Sequence, residues 1–182
     1  NTDWQDVIYQ NGVSTDNNIS ITSSVKGLPY RLSLGDMTQL GILKSDRLHR
    51  TTVGLNLSPV LWNNHLTLNL NYKLASSNTN FANQGAIGAA TYFDPTQAVR
   101  SGGARFGGYW EWLDPQSSTG LKSLSPKNPL GLLMQNNDNS NVTRQIASAL
   151  FDYKVHFLPD LHVVVNTGVD IAEGKGTSVI ND

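Results

Sequence analysis

Hydrophobic and polar residues alternate along most of the chain. Successive side chains of a β-strand point to opposite faces of the sheet, so this period of two predicts strands with one apolar and one polar side. Six stretches have the pattern, and they end near residues 25, 35, 58, 73, 157 and 171. Their apolar sides consist of Ile19, Ile21 and Val25; Tyr30, Leu32 and Leu34; Val53, Leu55 and Leu57; Leu66, Leu68, Leu70 and Tyr72; Phe151, Tyr153, Val155 and Phe157; and Leu161, Val163, Val165, Val169 and Ile171.

The connections between these stretches differ in length in a regular way. Residues 26–29, 59–64 and 158–160 form short turns, whereas 36–47 and 77–140 are long. In an up-and-down sheet alternate connections lie at the same end, so every short turn falls at one end and every long loop at the other. Outer-membrane β-barrels have this asymmetry, with short periplasmic turns and long extracellular loops.

Aromatic residues and strand length point to the same architecture. Tyr30, Trp62 and Phe157 lie in or beside short turns, as expected for an aromatic girdle at a membrane interface. The strands reach about ten residues, the length that a tilted strand needs to cross a bilayer. We therefore predict an all-β fold of antiparallel up-and-down strands, part of a transmembrane β-barrel. It has four strands in two hairpins over 1–76, a long extracellular loop over 77–140 and a third hairpin over 141–182.

A soluble β-sandwich is the alternative, because its strands alternate in the same way with the apolar side turned inward. Such a domain would be a binding module, with carbohydrate as the ligand of Tyr109, Trp110 and Trp112. Composition favours the barrel. Charged residues make up 15% of the chain, below the roughly 25% of soluble domains, and Asn, Ser, Thr and Gly replace them. Uncharged polar side chains suit a crowded barrel interior.

The segment 77–140 is too long for a structureless connection, so we expect it to have structure and a function of its own. Residues 86–93 predict a short helix that stops at Asp94-Pro95. Asn128 and Pro129 predict the N-cap and first residue of a second one. Aromatic rings concentrate between these helices and suit contact with sugar faces or peptide side chains, although packing of the loop is the simpler role for any one ring. The ligand-contact candidates are Asp94, Phe106, Tyr109, Trp110 and Trp112.

Other functional classes find little support. The net charge is −1 without a basic block, so nucleic acid is not an expected partner, and the chain contains no cysteine. The four histidines are scattered without a carboxylate at metal-ligand spacing, and we predict no metal, no cofactor and no catalytic residue. Residues 173–177, Glu-Gly-Lys-Gly-Thr, lack the full phosphate-loop pattern and predict a loop tip. Asp3 beside Trp4 predicts a turn or helix cap.

An ordered set of short motifs resembles the SusC/RagA-type TonB-linked outer-membrane transporters. Asn1-Thr2-Asp3-Trp4 resembles a segment at the start of their barrel, and residues 28–35, Leu-Pro-Tyr-Arg-Leu-Ser-Leu-Gly, resemble a strand of their second hairpin. Residues 85–90, 94–96 and 128–129 resemble landmarks of their long loop. Residues 151–153 and 157–161 resemble the next hairpin. The resemblance extends from one end of the chain to the other.

The resemblance implies a function and partners. Transporters of this family import glycans or peptides across the bacterial outer membrane, pair with a SusD-like surface lipoprotein and draw energy through TonB. It implies that this chain is an internal piece, with the TonB-contacting N-terminal region elsewhere. Six strands cut from a barrel expose two unpaired edges and a lipid-facing surface, so we expect the isolated chain to self-associate.

Overall fold

Seven antiparallel strands form a single open sheet in the computed structural model, which describes residues 1–181. The strand order is β1-β2-β3-β5-β6-β7, and the short β4 pairs only with β5. Each main strand therefore lies next to its sequence neighbours, as an up-and-down sheet requires. The strands are β1 (Ser14–Val25), β2 (Leu28–Leu40), β3 (Arg47–Leu57), β4 (Val60–Leu61), β5 (Leu66–Phe81), β6 (Asn136–Lys154) and β7 (His162–Ile180).

Three short helices and a 3-10 turn lie outside the sheet. Helix α1 (Trp4–Ile8) precedes β1, and the connection between β5 and β6 contains α2 (Gly85–Tyr92), a 3-10 turn (Arg105–Gly108) and α3 (Pro129–Met134). No helix among residues 1–181 is long and apolar enough to cross a membrane. The all-β, antiparallel, up-and-down prediction is confirmed, and all strands of the described chain belong to one sheet rather than to the two of a sandwich.

The strand register confirms the predicted faces. Residues paired across antiparallel strands lie on the same side of a sheet. Leu32 pairs with Ile21 on one side and Leu55 on the other, and Leu55 pairs in turn with Tyr72. The apolar sides of all main strands therefore merge into one continuous surface, here called the apolar face; the opposite side is the polar face. The apolar face is open to solvent in this chain: Ile19 is 62% and Val169 is 53% exposed.

Several strands extend farther than the hydrophobic pattern predicts. β5 continues to Phe81 and β6 already begins at Asn136, so the connection between them is 82–135 rather than 77–140. These extensions are rich in Asn and Ser, and backbone pairing rather than amphipathic alternation holds them. Asn78 pairs with Asn141 across β5 and β6, and the Asn78 side-chain amide donates to the side-chain oxygens of Asn139 and Asn141.

The predicted loop tip at 173–177 is wrong for the same reason. These residues lie inside β7 and pair with β6 from Thr143 to Asn139. The glycines Gly174 and Gly176 suggest a turn, but a complete backbone ladder with β6 keeps the strand extended. The connection between β2 and β3 is likewise shorter than predicted, residues 41–46 rather than 36–47.

Buried side chains gather outside the sheet, at the end that has the long connections. The core consists of Trp4, Ile8, Leu43, Ala86, Ala90, Phe93 and Leu133, from α1, the β2–β3 connection, α2 and α3. We call this unit the loop core. It forms because the helices are too short to be stable alone and bury their apolar sides against each other. The sheet thus carries a small folded unit at one end and tight turns at the other.

Candidate functional site on the long connection

Helix α1 begins with a capping residue that directs Trp4 into the loop core. The Asp3 carboxylate accepts hydrogen bonds from the backbone N–H groups of Gln5 and Asp6, which confirms the predicted cap. Trp4 is 3% exposed, and its indole Nε1 donates to the carbonyl oxygen of Asp94 at 3.0 Å. Its ring packs edge-on to Phe93 with centroids 4.6 Å apart. The start of the chain is thereby fixed to the end of α2.

Asp94 terminates α2 with a side-chain turn. Its carboxylate accepts from the backbone N–H of Thr96 at 2.8 Å and from the Thr96 hydroxyl at 2.7 Å, and Gln97 donates from its side chain. The Thr96 hydrogen bonds hold the pKa of Asp94 below its ordinary value. This residue, predicted as a ligand contact, is thus engaged in the local turn. It also lines a concavity of about 300 Å³ with Tyr92, Trp112 and Lys122.

The aromatic residues of the connection form a chain of edge-on contacts. Trp110 packs against Phe93 at 5.8 Å and against Trp112 at 4.7 Å between ring centroids. Tyr109 is 5% exposed, and the Arg100 guanidinium lies 4.0 Å from its ring centroid and donates to its hydroxyl. Tyr109 and Trp110 therefore pack the connection, whereas Trp112 also borders the concavity beside Asp94.

Phe106 occupies a different position from the other aromatic candidates. It lies in the 3-10 turn with φ 53° and ψ 42°, a left-handed conformation that is strained for a bulky side chain. Its ring lines a second concavity, together with Glu111, Gln135 and Asn136. The five predicted ligand contacts are therefore separated: Asp94 and Trp112 border the first concavity, Phe106 lines the second, and Tyr109 and Trp110 pack the connection. The local sequence contains no signal for this division.

Asn128 joins three parts of the connection and is fully buried. Its side-chain oxygen caps α3 by accepting from the N–H groups of Leu130 and Gly131, as the sequence predicts. Its side-chain Nδ2 donates to the carbonyl oxygens of Val99 and Trp110, both at 3.1 Å. Every donor and acceptor of this amide is used, so one residue fixes α3 against the aromatic segment.

Replacing Asn128 with alanine is expected to loosen the whole connection. The substitution removes the α3 cap and leaves the Trp110 carbonyl without a donor, while the Val99 carbonyl keeps only the Trp110 N–H; together this costs about 2–4 kcal/mol. Hydrogen exchange of the α3 amides in the full chain, held in detergent, measures the loss. Asn137→Ala removes an exposed amide from the adjacent strand and serves as the control. Unchanged exchange in Asn128→Ala would show that the amide network does not hold α3.

Glu111 is a half-buried carboxylate next to Asn128. Burial raises its pKa, while the backbone N–H of Asn128, 2.9 Å from Oε1, and the charge of Lys127 act in the opposite direction. A raised pKa means that the folded chain retains the proton better than the unfolded chain does. Protonation of Glu111 therefore stabilises the folded chain. This stabilisation is fully present at a pH below the ordinary glutamate pKa of about 4.5, and it is lost as the pH rises through the pKa of Glu111 in the folded chain.

We therefore expect Glu111→Gln to flatten this pH dependence. The wild-type connection should exchange its amide protons faster at pH 7 than at pH 4.5, relative to intrinsic rates, because the ionised carboxylate is penalised by burial. The glutamine variant should lose that difference. The check is a pH series of hydrogen exchange on the α3 amides. A difference that is the same in both proteins would mean that another group titrates.

The apolar face has the dimensions of a membrane band. On β7 it extends from Val163 to Ile171, roughly 27 Å along the strand at about 3.4 Å per residue. A strand tilt of 35–45° reduces this to a height of roughly 20 Å, near the ~25 Å band of outer-membrane barrels. Toward the long connections the same side becomes polar: the next two rows contain Asp36, Thr51, Ser76, Thr143 and Glu173, then Thr38, His49, Asn78, Asn141 and Lys175.

Aromatic rings border the band at the end with the tight turns. Trp62 packs edge-on to Tyr153 at 6.2 Å, and His65 stacks on His156 at 3.9 Å between centroids. The Tyr153 hydroxyl lies 2.8 Å from His156 Nδ1. His156 therefore contacts His65 and Tyr153, while His162 pairs with Asp152 on the polar face at 2.7 Å. Amphipathic aromatic side chains at this level are typical of the membrane–water interface of a barrel.

Charged pairs of the band region lie on the polar face. Arg144 forms a two-fold hydrogen-bonded ion pair with Asp170, and both point away from the apolar face. Charges directed to a lumen remain hydrated, whereas charges directed to lipid are costly. A bounded apolar band, an aromatic border and a polar opposite face are the features expected of a wall section of a transmembrane β-barrel, and the sheet is open at β1 and β7.

Comparison with known proteins identifies the family. No protein-family model matches the chain. The whole chain aligns with the TonB-dependent receptor SusC of Bacteroides thetaiotaomicron at 39% identity over 194 residues, which is 19% of that receptor. The chain thus spans about a fifth of the length of the relative it matches. It belongs to the SusC/RagA-type TonB-linked outer-membrane transporters, as a segment of their barrel.

Solved structures agree in fold. The RagAB peptide importer in its closed-closed state superimposes with a TM-score of 0.64 at 19% identity, over 97% of this chain and 19% of that one. The open-open state of the same importer gives a TM-score of 0.65 at 18% identity, with the same coverage. The up-and-down sheet with its long connection is therefore also found within the RagAB peptide importer.

Proposed function

We propose that this chain forms part of the barrel wall and an extracellular loop of a TonB-dependent transporter. The transporter imports glycans or peptides across the bacterial outer membrane. The observation that carries the proposal is the apolar band, bounded by polar rows at the end with the long connections and by aromatic rings at the end with the tight turns. The 39% identity to SusC over the whole chain supports the same assignment. In this arrangement the apolar face contacts outer-membrane lipid and the polar face lines the lumen.

The surface around the loop core is the part of the chain that meets partners outside the cell. It lies beyond the polar rows, where Tyr92 is 82% exposed and Leu124 is fully exposed. These residues border the concavity with Asp94 and Trp112. We propose that this surface contacts a SusD-like lipoprotein or the cargo through Asp94 and Trp112, with Phe106 as a contact at the second concavity and Tyr109 and Trp110 supporting the surface from inside. Energy enters through TonB, which binds the parent transporter outside these residues.

Uptake measurements in the native host test the function. Deletion of the parent gene is expected to abolish uptake of one class of labelled oligosaccharide or peptide, and the wild-type gene should restore it. The tagged parent protein should copurify with its SusD-like lipoprotein. If uptake of every oligosaccharide and peptide tested were unchanged by the deletion, the import function would be wrong.

A further inference from the structure

A hollow interrupts the apolar face in the middle of β6. Its floor contains Ala147 and Ala149, whose short side chains occupy two successive rows of that face. Longer side chains border it on both flanks, Leu70 and Tyr72 on β5 and Val169 on β7. The hollow has a volume of about 410 Å³, which is within the 300–1,000 Å³ of pockets that hold a small ligand. The apolar face therefore contains a depression with room for a ligand of its own.

The two ends of the hollow differ in chemistry. Toward the tight turns, the next side chain of β6 on this face is the ring of Phe151. Toward the long connections, the next side chain is the amide of Gln145, and Thr143 then begins the polar rows. The hollow thus has an aromatic end within the apolar band and a polar end at the border of the band.

The amide of Gln145 uses only part of its hydrogen-bonding capacity. Its Oε1 accepts from the Tyr72 hydroxyl at 3.0 Å, whereas its Nε2 has no hydrogen-bond partner among residues 1–181. A polar group that faces hydrocarbon without a partner is costly, because no water replaces the missing hydrogen bond. The polar end of the hollow therefore presents a free amide donor to whatever occupies the hollow.

We propose that the hollow holds one acyl chain of an outer-leaflet lipid, whose ester or amide carbonyl accepts from Gln145 Nε2. The chain lies over Ala147 and Ala149 and ends near Phe151. The carbonyl linkages of a lipid lie where hydrocarbon meets the head groups, and Gln145 lies at the matching border of the apolar band. This inference rests on the proposed function, in which the apolar face contacts lipid and the long connections are extracellular.

A lipid suits this site better than a second barrel does. The backbone carbonyls of a neighbouring wall are paired within its own sheet, so they are not available to Gln145. A hydrocarbon tail gains no hydrophobic free energy on moving from bulk lipid into the hollow, so close packing and the hydrogen bond must supply the preference. We therefore expect a preference of modest size that depends on the carbonyl.

Photolabelling of the purified parent transporter in vesicles tests the hollow. The vesicles contain phosphatidylethanolamine and phosphatidylglycerol with a trace of phosphatidylethanolamine that carries a diazirine in one chain. One probe has ester-linked chains, and the other has the same chains in ether linkage, which lacks the carbonyl. Mass spectrometry after photolysis measures the label on Thr167 and Val169, which border the hollow, and on Ile21, which lies on the apolar face of β1.

The ester probe should label Thr167 and Val169 about threefold to tenfold more than the ether probe does, the ratio that one net hydrogen bond gives. Gln145→Leu keeps the hollow and should make the two probes equal. Ala147→Phe fills the hollow and should lower the ester label to the level of the ether label. Leu34→Phe adds the same ring to the apolar face outside the hollow and is the matched control, with no expected change.

The outcomes separate the hollow from the lipid-facing wall. Equal labelling by both probes that neither Gln145→Leu nor Ala147→Phe alters would indicate bulk lipid alone and overturn the hollow, while the label on Ile21 would still support the wall. Protection of Thr167 and Val169 from both probes, with Ile21 labelled, would assign the hollow to a neighbouring barrel and overturn the lipid. Absence of label from β1 and β7 alike would overturn the hollow and the wall together.

Discussion

Replacing Trp4 with alanine should cost the loop core about 3–5 kcal/mol, the range for loss of a large buried aromatic side chain. Trp4 is 3% exposed and contributes both the edge contact with Phe93 and the hydrogen bond to the Asp94 carbonyl. Both links join α1 to the end of α2. Hydrogen exchange of the α1 and α2 amides, measured in the full-length parent in detergent, should rise by orders of magnitude.

Two further variants make the Trp4 result specific. Trp4→Phe retains most of the apolar packing but loses the donor to Asp94, and should lose about 1–3 kcal/mol. Trp62→Ala removes a tryptophan that is 63% exposed at the opposite end of the sheet, and should cost no more than about 1.5 kcal/mol. Equal losses in Trp4→Ala and Trp62→Ala would contradict the position of Trp4 at the centre of the loop core.

Replacing Leu70 with arginine should destabilise the membrane-inserted barrel by about 2–4 kcal/mol. Leu70 lies midway along the apolar side of β5, which extends from Leu66 to Leu74, and it pairs with Leu57 and Ala149 on the same face. A cation there faces the bilayer midplane, where the cost is greatest. Urea unfolding of the parent transporter from lipid vesicles measures the change.

The adjacent residue provides the control. Asn69 lies one position away on the polar face, where Asn71 and Lys73 are also found. Asn69→Arg adds the same side chain to the lumen side and should change the stability by only about 0.5 kcal/mol. If the two arginines had the same cost, the two faces of β5 would not differ in environment, and the orientation of the wall would be wrong.

The sequence predicts the membrane-facing part of this fold well because a single physical requirement governs it. On the proposed arrangement each strand presents apolar side chains to lipid and polar side chains to the lumen, and a period of two follows directly. Leu55 and Tyr72, for example, are on the same side in the pattern and directly paired in the structure. The short and long connections lie at opposite ends of the sheet, as their alternation along the sequence predicts.

The regions beyond the lipid band are predicted less well, for a different reason. In the polar rows no apolar side is required, so Asn78 and Asn141 give no strand signal although their backbones pair. The loop core depends on contacts that are remote in sequence, such as Trp4 with Asp94, ninety positions apart. Local patterns predict the caps at Asp3 and Asn128, but they do not predict which rings pack inside and which remain at a pocket.

The candidate contacts illustrate this limit. Composition alone groups Phe106, Tyr109, Trp110 and Trp112 as one aromatic cluster, but Tyr109 and Trp110 pack the connection while Phe106 lines a pocket. Gln135 and Asn136 border that pocket without any motif of their own. Their position follows from the β6–β7 ladder, which is a property of the folded sheet.

Cysteine labelling along β7 tests most directly whether the apolar face meets lipid. The chain contains no cysteine, so single substitutions from Val163 to Ile171 introduce the only thiol of this segment. In outer-membrane vesicles a water-soluble maleimide should label the lumen-side positions, such as Asn166, and leave Val163, Val165, Val169 and Ile171 unlabelled, with a period of two. Uniform labelling along the strand, or the opposite phase, would contradict the account.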